Sequence, residues 1–141
     1  MENLGIIKNI TEIYDYKIEK RRRFDNSIYF DEYEGYKVET DKSTYYVLIE
    51  GGQNCCEYWG YLSSDDKLDK YIGCELKDVY VTDTALNTKL IEIEDNDYCF
   101  DSMFVNFNLT NGMVFQLAVY NSHNGYYGHD IILVKDNEIV K

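Results

Sequence analysis

The stretch MFVNFNLTNGMVFQLAV, Met103 to Val119, decides the fold class. Met103, Val105, Phe107 and Leu109 alternate with polar or neutral residues, and Met113, Phe115, Leu117 and Val119 do the same after Asn111-Gly112. A period of two puts every second side chain on one face of a strand, so each arm reads as a strand with one apolar face. A two-residue Asn-Gly turn would set Phe107 against Gln116 and send the apolar residues of the two arms to opposite faces. A three-residue connection, Thr110-Asn111-Gly112 with Gly112 left-handed in a bulge, pairs Leu109 with Met113, Phe107 with Phe115 and Val105 with Leu117. This second register aims both arms at one core and is the one expected.

Working outward, Tyr36 to Thr40 and Thr44 to Ile49 flank a polar turn, Asp41-Lys42-Ser43, and read as a second hairpin. Gly51-Gly52 breaks that strand, and Gln53 to Gly60 reads as a further extended piece. Ser64 before Asp65 and Asp66 is a helix start, Leu68, Tyr71 and Ile72 supply an apolar face, and Gly73 ends it. Leu76 to Val81 and Leu90 to Glu94 read as strands, with Asp95-Asn96-Asp97 as a turn. Ile131 to Val134 is apolar throughout, which predicts a closing strand that is central or well covered. Residues 4 to 18 fit a helix at Leu4, Ile7 and Ile10 but alternate at Tyr14, Tyr16 and Ile18, and a strand is expected for the second part. The expected fold is mainly β over residues 1–141, a single acidic domain: a twisted antiparallel sheet, barrel-like or sandwich, with one short helix near 64–72.

Composition agrees. Of 141 residues 45% are hydrophobic, enough for an ordinary core, and 15 are Tyr, a strand former. Proline is absent, so Gly, Asn and Asp must make the turns. The first residues carry acids and no long apolar run, which predicts neither a secretion signal nor a membrane span, and a cytoplasmic location. The four cysteines are then expected as thiols.

The net charge of −12 is unevenly spread. Residues 1–23 hold six of the 14 basic groups against four acids, net +2, and every arginine lies in Arg21-Arg22-Arg23. The rest carries 22 acids against eight lysines, net −14. Such a body repels nucleic acid and anionic membrane and attracts basic surfaces. Neither direct nucleic-acid binding nor a membrane is therefore expected, although 22 aromatic residues could in principle stack on bases.

Several chemistries can be weighed on the residues. Cys55, Cys56, His123 and His129 raise zinc, but adjacent cysteines on a strand face opposite sides, so no metal is expected. A thiol paired with histidine is a second option, and acidic surroundings disfavour the thiolate it needs. Asp95, Asp97 and Asp101 lack the Gly and closing Glu of a calcium loop. No cofactor is expected, and the reading leans away from an enzyme. The loop Asn121 to Asp130, with His123, Asn124, Gly125, Tyr126, Tyr127 and His129, offers many hydrogen-bond groups, or is simply a β-turn whose tyrosines pack on the sheet.

Two segments, Gly52-Gln53-Asn54-Cys55-Cys56-Glu57 and His123-Asn124-Gly125-Tyr126-Tyr127-Gly128, resemble the signature of a small domain family of unknown function met in phages and other mobile elements. The similarity runs from about Gly51 to Leu133. It implies a phage-like origin and two motifs near each other, with no activity to carry over.

The function favoured on these grounds is a non-enzymatic binding protein, a phage-type anti-defence (anti-CRISPR-like) inhibitor. Acids Asp31, Glu32, Glu34, Asp95, Asp97 and Asp101, interleaved with Tyr29, Tyr33, Tyr36 and Tyr98, would occupy a basic groove meant for nucleic acid. The alternatives are a small-ligand binder, for instance of a nucleotide signal, or a thiol- or metal-dependent enzyme, each using Cys55, Cys56, Glu57 and the His123–His129 loop.

Overall fold

A computed structural model describes residues 4–51, 58–86, 100–122 and 131–140. In it two antiparallel sheets pack face to face. One is five-stranded, in the order β1 (Ile7–Arg21), β2 (Ile28–Thr40), β3 (Thr44–Glu50), β8 (Ile131–Lys135), β9 (Glu138–Ile139). The other is four-stranded, in the order β4 (Tyr58–Ser63), β7 (Val114–Ser122), β6 (Phe100–Leu109), β5 (Leu76–Thr82). The described strands form a sandwich and no closed barrel.

The β6–β7 hairpin takes the expected register: Phe107 opposes Phe115, Val105 opposes Leu117, and Met103 opposes Val119. Leu109 N–H donates to the Met113 carbonyl at 2.9 Å, and Gly112 adopts φ +88°, the left-handed geometry that lets three residues close the turn. The Phe107 and Phe115 rings stack at 4.8 Å and 2°. Val38, Val47, Ile49 and Leu133 of the first sheet join Val105, Leu117 and Val119 of the second in one buried core. Each such side chain contributes about 1.5–3 kcal/mol on leaving water. β8 is buried at Ile132, Leu133 and Val134 and lies between β3 and β9, as its apolar run predicted.

The helix expected over 64–72 is realised as one 3-10 turn, Asp69–Tyr71, ended at Gly73 with φ +91°. The turn's N-cap is Leu68, which has no side-chain cap, and Ser64 faces β7. Its hydroxyl accepts from the Gln116 N–H at 2.9 Å, and Asp65 anchors the turn through Lys70 and the Tyr71 hydroxyl. The strand expected at Leu90 to Glu94 lies outside the described residues, as does the Asp95–Asp97 turn.

The outer face of the four-stranded sheet is closed by a polar clamp. Gln116, fully buried, donates to Asn106 Oδ1 at 2.6 Å and to the Thr84 carbonyl at 3.0 Å, and accepts from the Leu86 N–H at 2.9 Å. At the other end of the sandwich the N-terminal residues stitch both sheets together. Leu4 N–H donates to the Leu76 carbonyl, Ile7 N–H to that of Cys74, and Ile6 N–H to Asp41 Oδ1 in the β2–β3 turn.

β1 and β2 outrun their neighbours. β2 pairs with β3 only as far as Tyr33 opposite Glu50, whereas β1 and β2 continue to Arg21 opposite Ile28. Residues 16–33 therefore form a two-stranded arm whose strands run about 17 Å past the sheet, at roughly 3.3 Å per residue. Asp25 Oδ1 accepts from the Ser27 N–H at 2.9 Å and Asn26 adopts φ 59°, which turns the chain at the tip. The arginine run lies at that tip beside Phe24, which is fully exposed at 103%.

Candidate functional site

A register shift in β1 between Ile13 and Tyr16 leaves Tyr14 and Asp15 unpaired with β2. The bulge turns Tyr14 back towards Glu12, to whose Oε2 its hydroxyl donates at 2.5 Å. Glu34, two places before Tyr36 on β2, faces the same edge, and from the opposite sheet β4 contributes Tyr61. The Tyr36 and Tyr61 rings meet edge to face at 5.2 Å. Glu12, Tyr14, Glu34, Tyr36 and Tyr61 thus gather where β4 stands over β1 and β2, at the open edge between the sheets.

The electrostatics of this cluster are those of partly dried neutral groups beside carboxylates. Burial, and then the neighbouring Glu12 carboxylate, raise the Glu34 pKa. Burial pushes the Tyr36 hydroxyl up to about 12 and raises that of Tyr61 further. Tyr14 is raised by its hydrogen bond to Glu12. At neutral pH these phenols are donors rather than nucleophiles or bases, so the cluster can offer hydrogen bonds to an acceptor. Among the described residues no three His, Cys, Asp or Glu side chains converge as a metal site. Cys74 is the thiol described; its sulfur lies 3.8 Å from the Lys70 carbonyl oxygen and 3.8 Å from Asn111 Nδ2.

Of the residues singled out in the sequence, Glu34 joins the cluster above, and the others are spread over the molecule. Tyr33 and Tyr36 offer little exposed surface. They are 2% and 5% exposed, because β2 alternates across a sheet covered on both faces here: Tyr36 points into the inter-sheet core, and Tyr33 packs outside it near Leu48, Ile132 and Val134. Asp31 and Glu32 are on the arm, each beside a lysine of β1: Asp31 with Lys20 at 2.6 Å, Glu32 with Lys17 at 3.9 Å. Tyr29 lies under the Arg22 guanidinium at 5.2 Å. Asp101 is on β6, opposite Asn121. Cys55, Cys56, Glu57, Asp95, Asp97, Tyr98, His123, Asn124, Gly125, Tyr126, Tyr127 and His129 lie outside the described residues.

The ends of these undescribed segments are nevertheless placed. Ile49 opposes Ile131, Tyr58 opposes Ser122, and Phe100 also opposes Ser122. The residues on either side of 52–57 and of 123–130, and Phe100 after 87–99, thus lie at one end of the sandwich, the end that carries Glu34, whereas Leu86 before 87–99 lies against Gln116. Glu12, Tyr14 and Tyr61 escaped the sequence reading, since only the bulge and the second sheet bring them together.

Comparison with known proteins bears on the whole chain. A model described as Domain of unknown function (DUF7448) matches residues 3–133. The chain belongs to the DUF7448 family. This DUF7448 domain is also similar to the uncharacterized protein L278 of Acanthamoeba polyphaga mimivirus, 28% identical over 129 residues that make up 90% of each chain. No solved structure matches. The resemblance drawn from the two motifs is met at a coarser level: a family without an assigned function, and a viral relative. The family match begins at residue 3, so it takes in the β1–β2 arm as well as the stretch from Gly51 onward. No helix among the described residues is long and apolar enough to cross a membrane.

Proposed function

We propose that this DUF7448 domain is a non-enzymatic binding protein of viral or phage type that lays its acidic body on the basic, nucleic-acid-binding surface of a host protein. The observation that carries the reading is the segregation of charge in space. The arginines stand at the tip of the arm, and the 118 residues that follow them in sequence are net −14. Asp41, Asp66, Asp69, Asp83, Asp136 and Glu138 are exposed on that body. Exposed carboxylates on a folded sandwich can reproduce the repulsion and attraction that a phosphate chain exerts, and they speed encounter with a basic groove. The neutral phenols of the tyrosine–carboxylate cluster support the reading as hydrogen-bond donors to a partner. A relative encoded by a virus supports a target in the host, with nucleic-acid-handling defence complexes the class that fits.

Two measurements on one preparation test this. The immobilised protein should retain a basic host protein that elutes as salt is raised, since exposed charge pairs are screened. Added in solution, it should then displace a fluorescent DNA or RNA from that captured protein. Retention that is indifferent to salt, or capture without displacement, would refute the proposal.

A further inference from the structure

β1 is the outer strand of the five-stranded sheet. Backbone bonds from Cys74 and Gly73 reach it only at Ile7, so among the described residues its outer edge is open along the arm. An open edge is a template for another strand unless its side chains forbid the match. The arm carries charges that would normally be read as such protection: Asp15, Lys17, Glu19, Lys20 and Arg21. Their order says otherwise. Laid antiparallel against a copy of itself with Ile18 opposite Ile18, β1 places Lys17 against Glu19, Tyr16 against Lys20 and Asp15 against Arg21, each pair twice by symmetry. Every row is apolar, cation-on-aromatic or oppositely charged, the combinations that stabilise cross-strand neighbours. Registers shifted by one residue oppose Lys17 to Ile18 or to Lys20. Those shifted by two oppose Asp15 to Glu19 or Lys17 to Arg21.

We propose that this edge binds a second copy of the chain, forming a two-fold dimer with the axis at Ile18 and one sheet continuous through both copies. The same register carries the tip of each arm alongside the bulge of the other copy. Arg22, Arg23 and Phe24 come beside the second copy's Tyr14, Ile13 and Glu12. A tip of three arginines and a fully exposed phenylalanine then meets a 62% exposed tyrosine and the Glu12 and Glu34 carboxylates. This pairing gives both the exposed aromatics and the crowded carboxylates a complement. The antiparallel arrangement also sends the two acidic bodies to opposite ends. Their repulsion is weakened because the arms hold them apart by more than the ~8 Å over which charge is felt at physiological salt. A contact of this kind is isologous and closes at two copies.

The tip could instead be read as a nucleic-acid contact, arginines on phosphate and Phe24 on a base. The row-by-row match along β1 favours the second copy, because nucleic-acid binding asks nothing of Asp15, Lys17 or Glu19.

Sedimentation velocity at physiological salt reads the outcome directly. The wild-type chain should populate a species of twice the 16.7 kDa chain mass as concentration rises. Glu19→Lys should shift it to monomer, and the exchange Lys17→Glu with Glu19→Lys should restore the dimer, which a misfolded variant could not do. Arg22→Glu with Arg23→Glu should weaken association by about tenfold or more, roughly 1.4 kcal/mol, with the thermal midpoint unchanged. A monomer at every concentration, or a dimer indifferent to Glu19→Lys, overturns the proposal. So does a labelled duplex that binds the monomer and needs Arg22 and Arg23, which would assign the tip to nucleic acid. None of these results depends on the basic host partner, whose capture and displacement are read separately.

Discussion

Tyr45 points its hydroxyl into the core between the sheets, its ring edge-on to Phe107 at 6.1 Å, and the oxygen finds no hydrogen-bond partner among the described residues. A buried hydroxyl left unpaired costs about 1–3 kcal/mol. Tyr45→Phe keeps the ring and removes the cost, so denaturant unfolding should show stability unchanged or raised by up to about 1 kcal/mol, where most core changes lower it. Glu34 poses the opposite problem. Its pKa is raised in the folded state by burial and by Glu12, so folding holds its proton more tightly than the unfolded chain does. Its contribution is therefore most favourable below the ordinary carboxylate pKa and is lost as pH rises through the raised value. Glu34→Gln should raise the melting temperature at about pH 8, and the gain should shrink towards about pH 4. An equal gain at both would deny the charge penalty. Gly35 allows no such latitude. A Cβ there would lie 2.1 Å from the Val47 carbonyl oxygen, on the strand next to it. Gly35→Ala must push β2 off β3, and a loss of about 3 kcal/mol or more is expected in the same unfolding assay.

At the scale of elements, the β6–β7 hairpin is where stability concentrates. Phe107→Ala removes one ring of a stacked pair and one wall of Tyr45's site, and should cost about 3–5 kcal/mol by chemical denaturation. This hairpin was also the element most legible in the sequence. Apolar residues recur at every second position of both arms, so the alternation of Met103 to Val119 favoured one register of the two, although Phe104, Asn106, Gln116 and Ala118 on the other face are buried as well. The arm was illegible for the converse reason. Past Tyr33 neither face of β2 is enclosed, with Ile28 and Phe30 half exposed, so no apolar period marks a strand from Phe24 to Gly35, and Tyr29, Asp31, Glu32, Tyr33 and Glu34 stand out only by charge and ring. The helix shrank to a turn because Asp65, expected beside a helix N-terminus, is engaged by Lys70 and Tyr71 instead. The Tyr14–Glu12–Glu34–Tyr61 cluster was out of reach altogether. Its members lie on three strands of two sheets, and a bulge decides where Tyr14 points.

For the whole molecule charge is the dominant variable. A chain of net −12 repels itself when folded, and dissolved salt screens that repulsion. The melting temperature should climb from low to moderate sodium chloride, whereas a protein held chiefly by surface ion pairs would lose stability over the same range. Lys17–Glu32 and Lys20–Asp31 will weaken with salt, but exposed pairs are worth at most about 1 kcal/mol each and should not reverse the trend.

The stitching of Leu4, Ile6 and Ile7 to Asp41, Cys74 and Leu76 sets an order of events during synthesis. Leu4 and Ile7 cannot reach their native partners during synthesis until Cys74 and Leu76, about seventy residues further along, have been made. Ile7, wholly enclosed in the finished molecule, waits exposed for that interval. A nascent chain stalled before Leu76 should accordingly be cut by protease near Leu4 to Ile7, and one released after Leu76 should resist there.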